Sequence, residues 1–122
     1  MKRQEEHDQV TLVAWFRIMY PQYKSLITTP SFGENIGSRR MARLKELGLT
    51  PGMPDLHISV PKRLNPNSPI TSSGLYIEMK TQTGKVTERQ KEVQAKLLEQ
   101  GYTVKVCRSV DEGMKVIKDY FD

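Results

Sequence analysis

The segment Leu75-Tyr76-Ile77-Glu78-Met79-Lys80 constrains this chain more than any other. Its apolar, β-prone residues make it a strand, and side chains along a strand alternate between faces. Glu78 and Lys80, two positions apart, therefore share a face. An acid and a base on one face of a largely apolar strand cost desolvation free energy unless something uses them. A second segment, Gly52-Met53-Pro54-Asp55-Leu56, carries another carboxylate into another strand. If the two strands are neighbours, Asp55, Glu78 and Lys80 converge. Two carboxylates and an ammonium are the minimum equipment for holding a divalent metal beside a phosphodiester and activating a water.

The rest of the chain supplies the frame. A helix is expected over 5–19, with Val10, Val13, Ala14 and Ile18 at helical spacing and Leu12 and Trp15 beside them; it ends before Pro21. Residues 24–29 are β-prone and stop at Pro30, and 31–35 read as a loop. A second helix is expected over 36–47, closed by Gly48. Residues 51–54 form a turn, 55–60 a short strand, 61–73 an exposed Pro/Asn/Ser-rich loop and 74–80 the next strand. Thr87 caps a helix running to about Gln100, with Gln90 completing a capping box. Residues 102–107 form the last strand, and Ser109 caps a final helix whose apolar face is Val110, Met114, Ile117 and Phe121. The order α-β-α-β-β-α-β-α predicts an α/β fold with a mixed central sheet flanked by helices, in one domain spanning 1–122. The stretch from Leu75 to Cys107 has the length of a βαβ crossover.

Bulk properties narrow the function. The chain's 122 residues suffice for one core, and no apolar run is long enough for a membrane span. No apolar signal region follows the basic and acidic residues at the N-terminus, which places the protein in the cytoplasm as an expectation. The single cysteine, Cys107, lies in an apolar run and reads as a small buried side chain. A formal charge of +5 suits a polyanionic partner such as nucleic acid, although many small proteins are equally basic. Zinc-finger spacing, helix-turn-helix patterns and a phosphate-cradling Gly-rich loop are all missing from the sequence.

The candidate chemistry rests on few side chains. Asp55 follows a proline that fixes its approach to the strand; its plain alternative is a turn aspartate. Glu78, between Ile77 and Met79, has a cross-strand pair as its alternative. Asp55 and Glu78 can ligate Mg2+ or Mn2+, with the Met79 carbonyl as a third oxygen. Lys80 can orient the attacking water, help deprotonate it, or stabilise negative charge. His57 shares a face with Asp55 but reads as a structural histidine, and His7 is a weaker candidate still.

The set Gly52-Met53-Pro54-Asp55-Leu56, Ile77-Glu78-Met79-Lys80, Gln90 and Gly101-Tyr102-x-Val-x-Val resembles the PD-(D/E)XK nuclease superfamily and, within it, the small VRR-NUC domains. The resemblance runs from Glu6 to about Arg108. It implies a restriction-endonuclease-like core and a Mg2+-dependent DNA endonuclease, similar to Holliday-junction resolvases or to flap and nicking enzymes. It also implies branched DNA as partner, a homodimer, and a phage or bacterial setting. By the same resemblance a glutamate of the first helix joins the metal site. Glu5 and Glu6 both qualify, and Glu6 is favoured because Glu6-His7 followed by Gln9 is similar to the family's helix start and because Glu6 precedes Val13 by two turns. The resemblance also points Gln90 at Lys80, to hold the lysine or the water, beside its capping role. Arg39, Arg40, Arg43, Lys62, Arg63 and Lys85 are candidates for phosphate contacts that grip DNA without reading bases. The alternative is a non-catalytic DNA-binding subunit that retains the nuclease scaffold.

Overall fold

The structure is a computed structural model that describes residues 2–30 and 37–122. Its elements are α1 (Lys2–Met19), a 3-10 turn (Pro21–Tyr23), β1 (Ile27–Thr28), α2 (Ser38–Glu46), β2 (Leu56–Ile58), β3 (Leu75–Met79), α3 (Glu88–Glu99), β4 (Thr103–Cys107) and α4 (Val110–Phe121). The order agrees with the sequence reading, and the strands are shorter than expected. The loop expected at 31–35 lies outside the described residues.

The strands form a mixed sheet in the order β1-β2-β3-β4. β2 runs antiparallel to both β1 and β3, whereas β4 is parallel to β3, so β3-α3-β4 is a crossover unit. β3 pairs on both edges and is buried at every position. The register sets Leu56 against Ile77 and Ile58 against Leu75. These apolar residues, with Met79 and Cys107, pack on Leu12 and Phe16 of α1 and Ile117 and Tyr120 of α4. Each such side chain taken fully from water contributes roughly 1.5–3 kcal/mol.

Two corrections concern which helix face turns inward. On α1 the core residues are Leu12 and Phe16, both fully buried, while Val10 and Ile18 are 68% and 77% exposed. The pattern of β-branched and small residues names a face, but the long side chains that reach α4 decide it. A Cβ at Gly113 of α4 would stand 2.6 Å from Leu12 Cδ2, so any larger residue there would displace the Leu12 side chain. On α4 the buried line is accordingly Gly113, Ile117 and Tyr120, with Met114 and Phe121 packed at its margin.

The loop 61–73 folds back on the sheet's far end from Asp55. Lys62 and Ser72 form an isolated antiparallel bridge. Tyr120 donates its hydroxyl hydrogen to the Val60 carbonyl at 2.6 Å.

Candidate active site

Alternation along β3 sends Leu75, Ile77 and Met79 toward α1 and α4, which leaves Tyr76 and Glu78 on the side of α3. The Gly52–Pro54 turn delivers Asp55 to the same place. Gly52 has φ +91°, and a Cβ there would meet Arg89 of α3 at 2.9 Å (Cγ) and 3.1 Å (carbonyl oxygen). A side chain at this position is thus excluded both by backbone conformation and by the close seating of the turn on α3. Pro54 is fully buried behind it. Asp55 Oδ2 then accepts the Met79 N–H at 2.7 Å, which ties the carboxylate to the end of β3.

Glu78 is 2% exposed. Its Oε2 accepts from Gln90 Nε2 at 3.2 Å and faces Lys80 Nζ at 3.8 Å. Its Oε1 is buried with no hydrogen-bond partner among the described residues. Burial pushes the Glu78 carboxyl up to about 9; the negative charge of Asp55 and a hydrogen bond with its side chain push the same way, Glu5 adds to this, and Lys80 opposes it. With Glu78 raised to about 9, the pair holds a proton at neutral pH, and a cation placed between the two carboxyls would favour its loss.

Gln90 serves two partners at once. Its Oε1 accepts the Thr87 N–H at 2.9 Å, closing the capping box, and Thr87 Oγ1 accepts the Gln90 N–H at 3.1 Å. A backbone N–H can only donate, so the amide oxygen must face Thr87 and the NH2 must face Glu78. The partner that the structure gives Gln90 is therefore Glu78 rather than the expected Lys80.

Of the two glutamates expected on the first helix, the structure brings Glu5 rather than Glu6 toward Glu78. Glu6 is exposed, and it is Glu5 whose charge reaches Glu78. Glu5 lies two turns before Leu12, on the inward face, whereas the sequence reading took Val13 as its reference.

The basic candidates separate. Arg39, Arg40 and Arg43 lie exposed on α2, which has no buried residue, and Lys85 is exposed before α3. Lys62 and Arg63 are not brought to the site: they follow β2 at the end of the sheet remote from Asp55. Lys62 Nζ donates to the Asp119 carbonyl at 3.0 Å and lies 5.7 Å from the Tyr120 ring centroid, a helix-terminal role. Arg63 Nη1 donates to the Ser68 carbonyl at 3.2 Å within its own loop.

His57 is structural. It stacks on Tyr76 (centroids 4.1 Å apart, 6° between planes) with Tyr102 edge-on, and burial lowers its pKa. Cys107 is buried in the core, and burial raises its thiol to about 11, so it is no nucleophile at neutral pH. A residue that the sequence reading passed over, Arg108, donates from Nη1 to the carbonyls of Thr81 (2.8 Å) and Gly84 (2.5 Å), in the turn that follows Lys80.

The donor set fits a hard divalent cation. Two carboxylates are held together, and one of their oxygens is buried without a partner. Among the described residues no group of three or more His, Cys, Asp or Glu stands ready to hold an ion. A cation here would take two carboxylates, complete its shell with backbone oxygen and water, and so match the habit of Mg2+.

The family model of the VRR-NUC domain, a nuclease-type domain, matches residues 4–111. A solved structure described as a VRR_NUC domain protein superposes with a TM-score of 0.76 at 25% identity, covering 98% of this chain and 93% of that one. No match is found among curated proteins.

Proposed function

The chain belongs to the VRR-NUC family of nuclease-type domains, and from that membership and the site we propose a metal-dependent DNA endonuclease selective for branched or flapped DNA. The observation that carries the reading is the buried Glu78 carboxyl beside half-buried Asp55, with Lys80 Nζ 3.8 Å from Glu78 Oε2. Among the described residues only Ser72 and Glu78 are buried polar or charged side chains, and Glu78 is the charged one. Burying it against a second carboxylate opposes folding. A divalent cation removes that penalty, and a phosphodiester supplies a role for the lysine.

Asp55 and Glu78 would hold Mg2+ or Mn2+ with the Met79 carbonyl, and Glu5 would add negative charge nearby. When bound, such an ion supplies a water of lowered pKa and positive charge against the phosphate. To hold the ion, Glu78 would have to release its proton to solvent. The Met79 N–H keeps Asp55 in place as this happens, and Gln90 keeps Glu78 Oε2 turned toward Lys80. Lys80 presents its Nζ to the charge that builds on the scissile phosphate. Arg39, Arg40, Arg43 and Lys85 offer sequence-independent contacts to the DNA backbone.

The test is cleavage of supercoiled plasmid and of a synthetic four-way junction and flap, with Mg2+, Mn2+ or EDTA. The reading expects cleavage with either metal, none in EDTA, and preference for the branched substrates. Salt-sensitive DNA binding with no cleavage under any metal would instead establish a scaffold-only DNA-binding subunit.

A further inference from the structure

Lys80 stands just past the end of β3, where the strand ladder no longer dictates the path of a long side chain. Its own N–H still donates to the Cys107 carbonyl at 2.9 Å. The chain then turns at once: Gly84 N–H reaches both the carbonyl (3.3 Å) and Oγ1 (3.0 Å) of Thr81. Gly84 lies against the lysine stem, since a Cβ built there would be 3.6 Å from Lys80 Cδ.

This turn is closed from outside by one residue. Arg108 follows β4, the parallel neighbour of β3, so its backbone lies beside Lys80. A single guanidinium nitrogen, Nη1, donates to the first and last carbonyls of the turn, Thr81 and Gly84. Gln82 Nε2 answers by donating to the Arg108 carbonyl at 3.2 Å. Arg108 is itself pinned: its N–H donates to Glu112 Oε1 at 2.6 Å, and the Glu112 N–H is capped by Ser109 Oγ at 3.1 Å. The α4 N-terminus, β4 and the turn thus form one hydrogen-bonded unit around the lysine.

We infer that Arg108 is a positioning residue for Lys80: by holding both ends of the Thr81–Gly84 turn it fixes the lysine stem and keeps the ammonium beside Glu78. The inference rests on the nuclease reading for its catalytic consequence, but not for its structural one. The chemistry suits arginine. Half-buried carbonyls need donors. A planar, permanently charged guanidinium supplies two hydrogens from one nitrogen in a fixed geometry, which a lysine ammonium does not reproduce.

The experiment compares wild type, Arg108→Met, which keeps an apolar stem and removes the donors, and Gln82→Ala, which removes the exposed return bond. Two readouts are taken on the full chain: 13C relaxation of the Lys80 ε-methylene, with exposed Lys115 as internal reference, and steady-state cleavage. In wild type the Lys80 methylene should be ordered. In Arg108→Met it should become as mobile as that of Lys115, while kcat falls about 10- to 100-fold and KM for DNA stays within about twofold, the pattern of a displaced catalytic group. Gln82→Ala should lower kcat about two- to tenfold, the size of one hydrogen bond, and it carries the test if Arg108→Met does not fold. An unchanged Lys80 methylene would overturn the inference, as would a raised KM with unchanged kcat, which would make Arg108 a DNA-gripping residue instead. If wild type cuts no DNA with any divalent ion, the nuclease reading fails, and the Lys80 relaxation still decides the clamp.

Discussion

On β3, Leu75, Ile77 and Met79 face α1 and α4, and Tyr76 and Glu78 face α3. Both faces are buried, yet they are filled on different principles. The first is closed by interlocking apolar side chains, down to a glycine that lets Leu12 reach α4. The second is closed by a helix with no buried residue of its own and by polar contacts that leave Glu78 Oε1 unpaired. An apolar face is at its lowest free energy when complete. A face that buries a carboxyl oxygen with no partner among the described residues is not complete in that sense. On the proposed reading, one strand separates stability on one side from chemistry on the other.

Substitutions can break that division. Asp55→Ala should lower cleavage about 1,000-fold and leave DNA affinity within a few-fold, measured by single-turnover cleavage and filter binding. Thermal stability should hardly fall, because the substitution also removes a charge that opposes the ionisation of Glu78. Ile77→Ala, one residue away on the opposite face, should do the reverse. It should cost about 2–5 kcal/mol in denaturant unfolding, through lost burial and the cavity left behind, with kcat of the folded fraction little changed.

The pH dependence of stability sharpens the same contrast. Glu78 is raised to about 9 in the folded chain from an ordinary value of 4.5. Between these values the folded state binds the extra proton, so stability is greatest below the lower one and declines as pH rises through the window. The slope in EDTA should be at most about 1.4 kcal/mol per pH unit. Glu78→Gln should flatten it, and an equal slope in both proteins would assign the effect to other groups. The smallest effect separates the two helix-1 glutamates. Glu5→Gln should lower activity about tenfold, whereas Glu6→Gln should change it less than twofold.

These effects also mark what the sequence could tell. Asp55, Glu78 and Lys80 were legible because strand alternation and a turn motif fix where each points, and Gln90 because a capping box fixes its helix register. That Glu5 rather than Glu6 reaches Glu78 was not legible, because α1 carries two apolar stripes and only packing against α4 selects Leu12 and Phe16. For Lys62 and Arg63, charge alone did not foretell their neighbours. Their charge suggested phosphate, but β2 carries them away from Asp55, and the α4 C-terminus takes the Lys62 ammonium. Arg108 gave no signal at all, since its role depends on β4 lying parallel to β3 and on a turn formed 24 residues earlier.

The central claim is that the proton held between Asp55 and Glu78 occupies the place of a divalent cation. Calorimetric titration of Mn2+ into the protein near pH 7, in two buffers of different ionisation enthalpy, measures it directly. The claim predicts binding with release of about one proton per ion, and loss of that release in Glu78→Gln. Binding without proton release, or no binding to wild type, would contradict it.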